Sequence, residues 1–127
     1  MNLQEISVPA LAYLGDCVLE LCVREHLVKA GLSTSGHLNA AALQYVRASA
    51  QAEAMKRLLP HLSEEEEAYF RRGRNLGHTN VPKHATVSEY RAATGMEVLL
   101  GYLHVTGQEE RIQELFALAY PMDKAEE

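Results

Sequence analysis

The segment LAYLGDCVLELCV, from Leu11 to Val23, is apolar around almost the whole circumference of a helix, yet Asp16 lies in its middle. Such a segment is typical of a helix that is buried in a protein core. A buried carboxylate that is left unpaired costs about 3–5 kcal/mol. Asp16 therefore indicates either that a cationic group meets it inside the fold or that the helix is less buried than its composition suggests.

A second segment of this kind lies far along the chain, where AATGMEVLLGYL (92–103) carries a single charged residue, Glu97. If the two apolar helices pack together, Asp16 and Glu97 can converge. Two converging carboxylates with open coordination positions suit a hard divalent cation, and Mg²⁺ commonly takes one or two carboxylates together with substrate phosphate. Three small residues near Glu97 would leave room for an ion, water or phosphate: Ala93, Thr94 and Gly101.

A structural explanation of these acids stays open. An isolated acid in an apolar helix commonly caps a helix, pairs with an arginine or lies at an edge, and Glu20 has Arg24 four residues on for such a pair. The six histidines show no HxxxH or HExxH spacing, which disfavours zinc.

Composition indicates a single cytoplasmic domain. The chain has 127 residues, a net charge of −5 and an ordinary apolar fraction, so we expect one domain over residues 1–127 with a frayed tail at 122–127. No run reaches the roughly 18–20 apolar residues of a membrane span, and the first residues lack the features of a signal peptide. We interpret Cys17 and Cys22 as small core residues of a protein in a reducing compartment.

The pattern of helix start and stop signals predicts an all-α fold of six to seven helices with no sheet. The first helix should begin after Ser7 and Pro9 and end at Gly31. The remaining signals predict a loop over GLSTSG (31–36), helices over 37–46 and 49–59 with Ser49 as an N-cap, a capped helix from Ser63 to Gly73, a second capped helix from Thr86 to about Thr106, and a last helix over 108–120 that Pro121 stops.

Basic residues are concentrated in one region of this acidic chain, between positions 71 and 91. Arg71 and Arg72 would complement the macrodipole of a helix whose first turn is acidic, whereas Arg74 lies beyond its expected end. This region can form a local basic surface, and its cationic and hydrogen-bonding side chains would suit phosphate and 2′-hydroxyl groups if the chain acts on RNA. A solvated loop is the alternative. The candidate RNA-binding residues are Arg72, Arg74, Asn75, His78, Lys83 and His84.

The motifs LAYLGD, VREHLVKAG, EEEEAYFRRGRN and LLGYL together resemble the catalytic domain of the ribonuclease III family, and most closely its Mini-III branch, over nearly the whole chain. The resemblance implies that Asp16 and Glu97 are catalytic metal ligands for Mg²⁺, for which Mn²⁺ can substitute. The sequence departs from the larger family at two positions. Ala12 and Thr94 stand where that family has two further acids.

The resemblance implies a metal-dependent endoribonuclease that cleaves double-stranded RNA to leave 5′-phosphate and 3′-hydroxyl ends. Its expected role is to mature the ends of the 23S ribosomal RNA precursor, and a large-subunit ribosomal protein is a further candidate partner. Two other functions stay open: a catalytically inactive ribonuclease III fold that serves as an RNA-binding or ribosome-associated subunit, and a helical dimerisation module without a nucleic-acid role.

The family resemblance also implies a homodimer. The first helix is too apolar all round for one monomer to cover easily, and we predict that it packs against its symmetry mate. The expected interface residues are Leu11, Tyr13 and Leu14.

Overall fold

The computed structural model describes residues 1–76 and 84–121. Over these residues the chain forms α-helices joined by short turns and contains no strand, which confirms the all-α prediction. A 3₁₀ turn at Leu3–Glu5 precedes the first helix, and another at Leu59–His61 follows the third. The helices are α1 (Val8–Lys29), α2 (Ser35–Val46), α3 (Ala48–Leu58), α4 (Glu64–Arg74), α5 (Val87–Val105) and α6 (Glu109–Ala119).

The predicted signals at several helix ends are confirmed. The Ser7 side chain accepts a hydrogen bond from the backbone N–H of Ala10 at 3.2 Å, which caps α1. Both predicted capping boxes are complete, at the starts of α4 and α5. Gly31 and Gly107 follow α1 and α5 with φ angles of 97° and 73°, the left-handed conformation that favours glycine.

Other predicted boundaries are wrong by a few residues. The N-cap of α3 is Arg47 rather than Ser49, because one residue both ends α2 and begins α3 and leaves Ser49 inside the first turn. The helix α2 also begins earlier than expected, within the predicted loop. Gly73 does not end α4, since it is buried inside the helix and Asn75 is the C-cap.

Helix α5 lies at the centre of the molecule and contacts α1, α3, α4 and α6. Residues 93–96 and 98–103 of this helix are all buried, which leaves the half-buried Glu97 as the interruption. The near-uniform apolar sequence of α5 thus has a direct cause, because packed helices surround it.

Helix α1 buries only one of its faces. Its buried residues include Leu11, Gly15 and Leu19, whereas Tyr13, Leu21 and Val28 are 83%, 58% and 62% exposed. Among the described residues, no helix combines the length and the low polarity that crossing a bilayer requires.

Candidate active site

The site is built where α1 crosses α5 with their backbones in direct contact. A Cβ atom added to Gly15 would overlap the carbonyl oxygen of Glu97 and lie 2.9 Å from the backbone nitrogen of Gly101. A Cβ atom added to Gly101 would in turn overlap the carbonyl of Leu11. Two glycines therefore let the helices approach, and this approach places Asp16, the residue after Gly15, beside Glu97.

The predicted convergence of the two acids is present, but the predicted role of the small residues is partly wrong. Gly101 leaves no space for an ion, because the backbone of Leu11 fills it. Thr94 is buried, and its Oγ1 donates to the carbonyl of Tyr90 at 3.1 Å. Its hydroxyl is thus bonded within its own helix.

The electrostatic environment of Glu97 disfavours its charged form. Burial, and then the neighbouring carboxylate of Asp16, raise the pKa of Glu97 from 4.5 to about 7. A hydrogen bond from the Gln51 amide acts in the opposite direction, whereas one with Asp16 raises the pKa further. The groups that shift this pKa include no lysine or arginine. The pair is therefore short of positive charge.

Glu66 shows how this fold treats a buried carboxylate that has a structural role. Its oxygens accept bonds from the Arg111 guanidinium, each at 2.9 Å, and from the Ser63 backbone N–H, also at 2.9 Å. These contacts, led by the bond from Arg111, hold the pKa of Glu66 below its usual value. The contrast with Glu97 is direct, because Glu66 has a cationic partner supplied by the protein.

The donor set around Glu97 fits a hard divalent cation. Two carboxylates offer oxygen ligands, and the carboxylate pair gains charge compensation when a cation binds. Among the described residues there is no group of three or more His, Cys, Asp and Glu side chains that could hold a metal ion. The carboxylates leave coordination positions to water or phosphate, as Mg²⁺ prefers.

The polar residue that the sequence interpretation missed is Gln51 on α3, which is 4% exposed. It precedes Ala54, Met55 and Leu58, which are buried on the same face of that helix. A polar residue on an apolar face was the signal that singled out Asp16, and the same signal was present here.

Glu20 lies one turn beyond Asp16 and forms an ion pair with Arg24 at 3.5 Å, as the spacing predicted. It is not among the groups that shift the pKa of Glu97. Its surface pair with Arg24 accounts for its presence without a role at the site.

The predicted RNA-binding residues are only partly described. Arg72 and Arg74 lie in the last turn of α4, where their guanidinium carbons stand 4.5 Å and 5.7 Å from the ring centroids of Tyr69 and Phe70. The expectation that Arg74 lies beyond the helix is wrong, so the macrodipole can account for it too. Asn75 and His84 are exposed, and the predicted residues that lie outside the described ranges are His78 and Lys83.

The basic end of α4 is packed against the part of α5 that carries Glu97. A Cβ atom added to Gly73 would lie 2.7 Å from Gly95 and 2.9 Å from the carbonyl of Thr94. This close approach sets the last turn of α4, which carries Arg72 and Arg74, against residues 94–98 of α5.

The three predicted interface residues have different surroundings. Tyr13 is 83% exposed, and Leu14 is half-buried. Leu11 is 1% exposed and packs in the monomer core. Its side chain therefore cannot form part of a surface contact, and that part of the prediction is wrong.

Comparisons with known proteins agree with the fold. A family model described as the ribonuclease III domain matches residues 9–108. A crystal structure of a protein from Fusobacterium nucleatum superimposes with a TM-score of 0.81 at 29% identity, over 90% of this chain and 93% of that one. The chain belongs to the ribonuclease III family, whose members are endoribonucleases.

Individual relatives indicate a particular branch of the ribonuclease III family. The chain is 46% identical over 109 residues to Mini-ribonuclease 3 of Symbiobacterium thermophilum, which covers 86% of this chain and 84% of that protein. It is 46% identical over 114 residues to Mini-ribonuclease 3 of Enterococcus faecalis, over 88% and 86% of the two chains. The predicted resemblance to the Mini-III branch is confirmed.

Proposed function

We propose that this endoribonuclease cleaves double-stranded RNA in a divalent-metal-dependent reaction at the Asp16–Glu97 pair. The observation that carries the proposal is a half-buried carboxyl whose pKa is raised to about 7 beside a second carboxylate, with no lysine or arginine among the groups that shift it. A structural carboxylate in the same fold has an arginine partner. A cation that is bound together with substrate supplies the missing charge.

In this proposal Asp16 and Glu97 hold the cation through carboxylate oxygens. When bound, Mg²⁺ lowers the pKa of a water molecule and offsets negative charge that develops on the leaving 3′ oxygen. The products are 5′-phosphate and 3′-hydroxyl ends. Only two charged protein ligands are available, so the free protein binds Mg²⁺ weakly and RNA phosphate tightens the binding.

The RNA is held by the basic end of α4 and by the residues that follow it. Arg72 and Arg74 contact phosphate oxygens, and Asn75 and His84 offer hydrogen bonds to sugar and phosphate groups. Lys83 and His78 complete the predicted set. The packing of α4 on α5 at Gly73 supports this placement, because Gly73 lies between Arg72 and Arg74 and contacts the turn of α5 that precedes Glu97.

Two copies of the chain are required to cut both strands. The exposed side chains of Tyr13, Leu21 and Val28 lie on one side of α1, in a stripe that also contains the exposed Arg24, and Asp16 follows Tyr13 by one turn. An isologous dimer across this stripe buries it and sets two acidic pairs in fixed relation. The family resemblance of the sequence motifs implies the ends of the 23S ribosomal RNA precursor as the physiological target.

The experiment that tests this function is incubation of the protein with a long RNA duplex, with Mg²⁺ and with EDTA, followed by mapping of the product ends. We expect Mg²⁺-dependent cuts on both strands, with 5′-phosphates at every new end. Binding of the duplex without cleavage in Mg²⁺ or Mn²⁺ would favour the inactive RNA-binding alternative. A single-stranded RNA of the same sequence is the control, and it should stay intact.

A further inference from the structure

Two stacked tyrosine rings lie beneath an arginine of the basic turn of α4. The rings of Tyr69, on α4, and Tyr102, on α5, are almost parallel, with an interplanar angle of 9° and centroids 4.2 Å apart. The Tyr102 hydroxyl donates to the carboxylate of Glu65 at 2.6 Å, and both rings are buried. The pair, called the aromatic platform below, is therefore fixed by the packing of α4 on α5. The guanidinium carbon of the exposed Arg72 lies over the Tyr69 ring, 4.5 Å from its centroid.

Arg72 has an aromatic ring as its partner where other arginines of this chain have carboxylates. Arg24 pairs with Glu20, and Arg111 pairs with Glu66. Arg72 forms no ion pair within the part of the chain that the structure describes. A ring face attracts a guanidinium group without neutralising its charge. The positive charge and the N–H donors of Arg72 are thus available to an anion.

We propose that Tyr69 is a positioning residue for RNA binding, which holds the guanidinium group of Arg72 where it contacts a phosphate group of the duplex. Tyr102 supports the Tyr69 ring from the neighbouring helix. This inference rests on the proposed function, since it requires that Arg72 contacts RNA.

The aromatic platform strengthens phosphate binding by lowering its entropic cost. A long arginine side chain loses conformational freedom when it binds a phosphate group, and an arginine that already lies on a ring loses less of it. Tyr69 precedes Arg72 by three residues, a spacing that brings two side chains together on one face of a helix. The macrodipole of α4 accounts for a cation in its last turn but not for the ring beneath that cation.

The test is a double-mutant cycle on the affinity for an RNA duplex, measured by fluorescence anisotropy in EDTA. Tyr69→Leu removes the ring but keeps an apolar side chain, and it should weaken binding about 2–5-fold, as expected for the loss of one cation–π contact. Arg72→Ala should weaken binding about tenfold and reduce the slope of log affinity against log salt concentration by about one. The double variant should bind as Arg72→Ala does, because Tyr69 acts through Arg72. Tyr69→Phe keeps the ring and is the matched control, which should bind the duplex as the wild type does.

The outcomes separate this inference from the function on which it rests. Equal duplex affinity of wild type and Tyr69→Leu overturns the role of Tyr69 alone, whereas no duplex binding by the wild type overturns the proposed function as well. A loss from Tyr69→Leu that persists in the Arg72→Ala background assigns the effect to packing and overturns the inference. If Tyr69→Leu fails to fold, Arg72→Lys decides, because lysine keeps the charge but lacks the planar group that lies on the ring. Its affinity should fall, and wild-type affinity contradicts the proposal.

Discussion

Replacing Glu97 with glutamine should stabilise the metal-free protein at pH 8. The pKa of Glu97 is raised from 4.5 to about 7 in the folded state, and one pKa unit corresponds to about 1.36 kcal/mol. Ionised Glu97 therefore costs the fold about 3 kcal/mol, and the neutral glutamine would remove this cost while keeping the shape of the side chain. For a domain of this size the gain corresponds to a rise of about 10 °C in melting temperature.

The sign of the pH dependence follows from the raised pKa. In the wild type, the stabilising effect of protonated Glu97 is fully present below its unfolded pKa of 4.5 and is lost as the pH rises to about 7. The difference in free energy of unfolding between Glu97→Gln and wild type should accordingly be near zero at pH 4.5 and grow up to about pH 7.

The assay is thermal or urea unfolding in EDTA over this pH range. Glu53→Gln is the control, because Glu53 pairs with Lys56 on the surface, and its effect should stay within about 0.5 kcal/mol at every pH. A Glu97→Gln variant that is no more stable than wild type at pH 8, or whose advantage does not change with pH, would refute this reasoning about the site.

Three further predictions concern the surroundings of the pair. The double variant Arg74→Ala, Lys83→Ala should bind all RNA duplexes more weakly and with a smaller salt dependence, because phosphate contacts carry little sequence information. A changed sequence preference with the same salt dependence of binding would contradict a phosphate role for these residues. Tyr13→Asp should yield monomers in analytical ultracentrifugation that no longer cut both strands, and dimers that persist would exclude the stripe on α1 as the interface. Gly15→Ala should destabilise the fold by more than about 3 kcal/mol in urea unfolding, because the added Cβ would overlap the backbone of α5. Gly36→Ala is the control, since a Cβ there meets no atom within 4 Å, and it should be neutral or stabilising by up to about 1 kcal/mol.

Local signals in the sequence were sufficient for the helices and for the acidic pair. The capping boxes at Ser63 and Thr86 depend on residues three positions apart, so they can be recognised without tertiary information. The convergence of Asp16 and Glu97 could be predicted because each acid interrupts a long apolar helix, and two such helices are expected to pack together.

Features that depend on tertiary packing could not be predicted from local signals in the sequence. Position 101 has no room for a side chain because the backbone of Leu11 lies against it, and this contact is known only from the packing of α1 on α5. The spacing of apolar residues in α1 did not identify its buried face, because almost every face of that helix is apolar. Arg47 caps α3 without a side-chain bond, since the close succession of two packed helices overrides the preference for serine.

The most direct test of the proposed site is the single-turnover cleavage of one RNA duplex in Mg²⁺ by wild type, Asp16→Asn and Glu97→Gln, with duplex affinity measured on the same preparations in EDTA. If the two carboxylates hold the catalytic cation, each substitution should abolish cleavage while duplex affinity stays within about twofold of wild type and the fold stays intact. Cleavage that continues at the wild-type rate in either variant would contradict the assignment of the active site to Asp16 and Glu97.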